Sequence, residues 1–163
     1  MKKSMIHPVY REIVYEENIW TGKKSLTMGA TALKKVGKNT FSMVRGGVET
    51  KVVVKGSVLS GVTLQIQREE IQIVPKATWY DWVLSVLPFV LIMIWGNNVQ
   101  LCSILPVVGG AIGGLIGGLG MIVCRMLSIE KSIAGKLATA LLVTAGSFGV
   151  AAAVGYAIAM MLL

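Results

Sequence analysis

Residues 77–95 read Ala-Thr-Trp-Tyr-Asp-Trp-Val-Leu-Ser-Val-Leu-Pro-Phe-Val-Leu-Ile-Met-Ile-Trp. A helix crosses the hydrocarbon core of a bilayer in about 20 predominantly apolar residues, and this run has that length. Trp79, Tyr80 and Trp82 stand at one end and Trp95 at the other. Amphipathic rings at both ends of an apolar run match the aromatic belts that sit at lipid headgroups. Pro88 in the middle removes the donor that would reach the carbonyl of Leu84, which predicts a kink. The run therefore reads as a first membrane span, 77–96.

Two more spans follow. Gly96-Asn97-Asn98 is an uncharged turn, and residues 101–123 form the second expected span, with Pro106 close to its start, where a helix tolerates proline best. A short basic loop carries Arg125, Glu130, Lys131 and Lys136 before a third span at 137–162, long enough to cross with tilt. Residues 83–124 and 137–163 contain no formal charge. Uncharged runs of that length argue against a buried all-helical soluble core.

Toward the N-terminus the character changes at Pro75-Lys76. Residues 1–76 carry thirteen of the sixteen Lys and Arg and six of the eight acids, a net +7 of the chain's +8. Short runs rich in Val, Ile and Thr, broken by Gly every eight to twelve residues, read as strands at 10–16, 24–28, 30–35, 39–44, 49–55, 62–67 and 71–74. A helix over 26–35 is the alternative there. The fold class is an α+β membrane protein: a small β-sandwich or barrel-like head over 1–76, then a three-helix transmembrane domain over 77–163. So small a head buries a modest core, and its stability is expected to depend in part on the membrane domain or a partner.

Loop charge sets the expected orientation. The head and the loop before Lys136 are basic, whereas the first loop and the C-terminal end carry no charge. Basic segments stay on the cytoplasmic side. The expected location is the inner (plasma) membrane, multi-pass, with the N-terminus cytoplasmic and the C-terminus outside. Residues 4–17 are too polar for the apolar core of a secretory signal.

Residues 109–120 read Gly-Gly-Ala-Ile-Gly-Gly-Leu-Ile-Gly-Gly-Leu-Gly. Residues four apart share a helix face, so Gly109, Gly113 and Gly117 make one stripe and Gly110, Gly114 and Gly118 a second. Together they offer a side-chain-free groove for close backbone approach. Ala145, Gly149, Ala153 and Ala157 form a matching stripe on the third span. The expected arrangement is a hairpin of the last two spans within one chain, with a second copy or another membrane protein as further partner. Leucine at Gly113 or Gly114 should then disrupt packing, and leucine at Gly120 should matter less.

Reactive chemistry is sparse. Intramembrane ionisable groups usually mark transport or proton relays, and the spans place Asp81 and Arg125 only at their edges. Asp81, among aromatic residues, reads as a solvated cap. His7 is the single histidine, in what reads as an extended tail. Cys102 and Cys124 fall near opposite ends of one expected helix, too far apart for a disulfide. Thr21-Gly22-Lys23-Lys24-Ser25 lacks the earlier glycine of a phosphate loop and reads as a hairpin turn. No catalytic, cofactor or metal site is expected. Lysines near an anionic inner leaflet gain about 1 kcal/mol each, so membrane lipid is the expected partner of the basic charge. Nucleic acid is not, because Tyr10, Tyr15, Trp20 and Phe41 read as strand or core residues rather than an exposed stacking face.

The runs Trp20-Thr21-Gly22-Lys23-Lys24-Ser25-Leu26, Gly37-Lys38-Asn39-Thr40-Phe41 and Ile73-Val74-Pro75-Lys76, then Trp79-Tyr80, Pro88-Phe89 and the glycine block from Pro106 to Gly114, carry a resemblance. In them the chain resembles a group of small uncharacterised bacterial integral membrane proteins with a glycine-zipper helix. The resemblance implies a bacterial setting and no activity. The functional expectation is a non-enzymatic scaffold or accessory protein whose β-domain meets a protein or lipid. The alternative is a small oligomeric channel-like or permeability-altering protein, for which Ser103, Thr139, Thr144 and Ser147 would supply little polar lining.

Overall fold

The computed structural model of the chain describes residues 1–45 and 47–161. It is α+β, and it divides into two compact units, Met1–Ala77 and Thr78–Leu163.

The first unit holds two antiparallel sheets. One orders β1 (Lys2–His7), β2 (Arg11–Glu17), β3 (Lys24–Met28) and β4 (Thr31–Ala32) side by side. The other orders β5 (Lys34–Lys35), β6 (Thr40–Arg45), β7 (Val48–Ser57), β8 (Gly61–Ile66) and β9 (Glu69–Val74). Register follows the apolar alternation: Ile13 stands opposite Met28 and Tyr15 opposite Leu26, so both pairs reach the same side of the sheet. Ile13, Tyr15, Leu26, Phe41, Val52, Val54, Leu64 and Ile66 are buried, drawing on both sheets.

Two features depart from the expected strands, and one alternative falls away. Residues 2–7 are a strand, paired with β2 from Lys2–Glu16 to His7–Arg11, not a tail. Their Lys-Lys-Ser-Met-Ile-His composition hides the strand, because an edge strand needs only one half-buried face. The alternative helix over 26–35 is not formed; β3 turns at Gly29-Ala30 into β4. The expected strand over 30–35 divides at Leu33, where the chain passes from one sheet to the other.

The β7–β8 hairpin needs glycine. Gly56 has φ +85°, and a Cβ there would run into the Gly61 carbonyl across the ladder. Gly56→Ala should therefore lower the stability of this unit by about 2 kcal/mol, read as an earlier loss of the sheet signal in thermal unfolding of the full chain.

The second unit comprises α1 (Trp79–Gly96), α2 (Val99–Ile104), α3 (Gly110–Ser128) and α4 (Ile133–Met161). α1, α3 and α4 are long and apolar enough to cross a membrane. The second expected span is broken. α2 is capped by Asn98, whose side chain accepts from the backbone of Gln100 and Leu101, and it ends at Leu105. Pro106 disfavours helical backbone in the residue before it, and Leu105 is extended. The long helix resumes only at Gly110 and reaches Ser128, so it takes in Arg125.

The irregular segment between α2 and α3 is packed against protein. Val108 donates its N–H to the Ala151 carbonyl at 3.1 Å, and Trp95 Nε1 donates to the Leu105 carbonyl at 3.1 Å. Gly96 lies close against Gly109, and Gly155 against the Pro106 carbonyl. Non-helical backbone survives at membrane depth only where protein covers it. Ile92, Val107 and Ala151 form the buried centre beside it, flanked by Trp95, Ile116 and Phe148.

Candidate functional site

The glycines of α3 receive α1. A Cβ on Gly117 would lie 2.7 Å from Phe89 Cα, and one on Gly113 would strike the Val108 carbonyl and lie 3.2 Å from Ile92 Cγ2. Gly109 meets Gly96. The stripe Gly109, Gly113 and Gly117 thus seats the first helix and the irregular segment, and α4 lies elsewhere. Along the second stripe, Gly110 and Gly118 have nothing within 4 Å, and Gly114 reaches only the side chains of Met93 and Phe89 at 3.8 and 4.0 Å.

The small residues of α4 are placed differently from expectation. Ala145, Gly149, Ala153 and Ala157 are exposed, and Gly149 has nothing within 4 Å. α4 packs instead through Ala140, Ala151 and Gly155, with Ser147 against Gly120. The expected mating of the two stripes is absent. Small residues permit close approach without specifying the neighbour, and the segment covering Gly155 selects another face of α4. Gly120 is consequently a close-contact position: a Cβ there would strike Ser147 Oγ and lie 3.2 Å from Pro88 Cβ.

At one end of this unit three charged side chains converge, one from each long helix. Asp81 lies in the first turn of α1, Arg125 in the last turns of α3 and Lys136 in the first turn of α4. Asp81 is 3% exposed. Lys136 Nζ lies 2.7 Å from its Oδ1, and Arg125 Nη1 lies 3.9 Å from its Oδ2. Thr78 donates to Oδ2 through its backbone N–H at 2.9 Å and its hydroxyl at 2.8 Å. Lys136 also lies over the Tyr80 ring at 5.2 Å, and Lys131 donates to Thr139 Oγ1 at 2.7 Å. Asp81 does cap its helix, but as a buried ion-paired group; the solvated-cap reading is corrected. The available signal was positional: three helix ends that fall on one side of an up-down-up bundle carry opposite charges.

Elsewhere, reactive groups are committed to structure. His7 Nε2 lies 3.4 Å from Glu69 Oε1, joining the outer strands β1 and β9, and its Nδ1 accepts the Val9 N–H. Cys102 Sγ lies 3.2 Å from the Trp95 carbonyl, and Cys124 is buried with its Sγ 3.8 Å from the Leu84 carbonyl. Among the described residues no group of His, Cys, Asp and Glu could hold a metal ion. The Thr21–Lys23 stretch is a turn organised by Asn18, whose side chain accepts from the backbone of Trp20 and Thr21.

In the first unit a buried carboxylate joins the two sheets. Glu17 Oε2 on β2 accepts the Tyr15 hydroxyl at 2.9 Å and the Val58 N–H at 2.7 Å. Burial, then the adjacent Glu17, pushes the Tyr15 phenol far above its usual 10.0. Folding therefore favours the neutral phenol, and that stabilisation is present below about pH 10 and lost as pH rises past it. Tyr15→Phe should flatten the fall in thermal stability between about pH 9 and 11, at the cost of the Glu17 hydrogen bond at neutral pH.

Compared with known protein families, curated proteins and solved structures, the chain matches none.

Proposed function

We propose that this chain is a non-enzymatic accessory or scaffold protein of the inner membrane. Three spans hold it there, and its basic head meets a protein or lipid partner at the cytoplasmic surface. The observation that carries this reading is the convergence of Asp81, Arg125 and Lys136. The three helices share one charged end, where Asp81 and Lys136 form an ion pair, and their middles are uncharged. Such a bundle is built to stay closed, since a transport path would place ionisable groups in mid-membrane.

Loop charge supports a cytoplasmic head and an external C-terminus. We read the two sheets as a sandwich or barrel around one core, supported by the Glu17–Val58 and Lys24–Gly56 hydrogen bonds between them and by the His7–Glu69 pair. The anionic inner leaflet suits the head's exposed lysines; Trp20, not the expected strand or core residue but 74% exposed on the Asn18 turn, suits the headgroup interface.

Hydrogen exchange on the full chain in nanodiscs tests the lipid arm. Residues 18–24 should exchange more slowly in discs containing phosphatidylglycerol than in phosphatidylcholine alone. Equal exchange in both would remove lipid as the head's partner.

A second reading, an oligomeric channel-like protein, is favoured by the exposed Ala145, Gly149, Ala153 and Ala157 on α4. Light scattering in detergent decides it. A monomer removes the channel, whereas a discrete ring-sized oligomer that conducts ions in bilayers replaces the scaffold reading.

A further inference from the structure

The passage of the chain between sheets at Leu33 leaves an opening in the head. β4 ends at Ala32 on β3, held by the Leu33 N–H to the Leu26 carbonyl at 2.9 Å. β5 then pairs only with Phe41 and Ser42, so the ladder stops short of Met43 and Val44. Between the two partings lies a cleft of about 760 Å³. Small-molecule sites typically measure about 300–1,000 Å³, so the volume suits a small organic ligand rather than an ion or a protein.

The walls are amphipathic. Met28, Leu33 and Met43 supply the apolar side, and methionine adapts its shape to varied apolar groups. Arg11 and Lys34 supply two cations, both exposed at the surface. Among the described residues Glu49 is the one acid in the lining, and it accepts the Ser42 hydroxyl at 2.5 Å. The cleft therefore has excess positive charge over an apolar floor.

Arg11 is also held in an unfavourable backbone conformation. Its φ is +60°, the left-handed region in which glycine or asparagine is at ease and arginine is strained. Glycine at this turn would relieve that strain, so the side chain can be removed there without a backbone penalty.

We propose that this cleft binds an amphipathic anion: one carboxylate or phosphate held by Arg11 and Lys34, with an acyl or aryl body against Met28, Leu33 and Met43. The ligand is either a soluble organic acid or the acyl chain and headgroup of a membrane lipid, which share this chemistry. The inference goes beyond the accessory reading and does not depend on it, because the cleft lies apart from the Asn18 turn used to test lipid contact.

The test uses the full chain in phosphatidylcholine nanodiscs with dansyl-undecanoic acid as probe and empty discs as background. Saturable binding is expected. Arg11→Gly should weaken it about tenfold, the weight of one charge-assisted contact, while thermal stability holds or rises as the strained backbone relaxes. Lys34→Gln should weaken it to a similar degree, and Lys38→Gln, outside the lining, should leave it unchanged. If phosphatidylglycerol in the discs competes with the probe, the ligand is lipid; if it does not, the ligand is a soluble acid. Absence of saturable binding would overturn the proposal. So would equal binding of the neutral dansyl-undecanamide, or indifference to both cleft substitutions in folded protein.

Discussion

Gly117→Leu should destabilise the helical unit by about 3 kcal/mol or more, while Gly118→Leu should leave its stability unchanged or raise it. The two positions are neighbours in sequence and identical in composition, yet they differ in what they face. A side chain at Gly117 must enter the backbone of α1 at Phe89, which cannot move aside as a flexible side chain would. At Gly118 the first atom meets nothing within 4 Å, and leucine is a better helix former than glycine by about 1 kcal/mol. Gly113→Leu and Gly120→Leu belong with Gly117, the latter against expectation from the glycine pattern alone. Unfolding in mixed micelles by added dodecyl sulfate, followed by circular dichroism, separates the cases. Comparable losses at Gly117 and Gly118 would mean that α3 does not meet α1 on this face.

Asp81→Ala should cost about 3 kcal/mol or more in the same assay, because it leaves the buried Arg125 and the half-buried Lys136 without the carboxylate they share. The alternative outcome is well separated: loss of a solvated cap costs only about 1 kcal/mol. A double-mutant cycle sharpens the distinction. If the Asp81–Lys136 contact at 2.7 Å is the stabilising pair, Lys136→Met should restore part of what Asp81→Ala removes, since one stranded charge goes with it. Strict additivity of the two changes would show that the pair is not coupled in the membrane.

The spans were legible because hydropathy is a local property: residues 79–96 declare themselves by composition and by their aromatic ends. Pro106 was legible as a helix constraint but not as a break, since the outcome depends on whether neighbouring helices can cover five irregular residues. Ala151 and Gly155 do so from a distant part of the chain. The glycine block announced a close approach and left its partner undetermined, because glycine contributes no complementary shape. Asp81, Arg125 and Lys136 were each visible as charges at helix ends, yet their convergence is a tertiary fact that no single window contains. In the head, alternation identified the central strands, whereas β1 lacked a strong pattern and the cleft at Leu33 follows from a change of sheet. Neither the cleft lining nor the strain at Arg11 leaves a mark in residue order.

The proposed placement is a chain that crosses the membrane three times, with the head and the α3–α4 connection on one side. Cysteine accessibility measures this directly. In a background lacking Cys102 and Cys124, single cysteines at Lys38, Gln100 and Ile133 would be treated with a membrane-impermeant maleimide in right-side-out and in inverted vesicles. The account predicts that Lys38→Cys and Ile133→Cys react only in inverted vesicles and Gln100→Cys only in right-side-out ones. Reaction of Gln100→Cys and Ile133→Cys from the same side would contradict it.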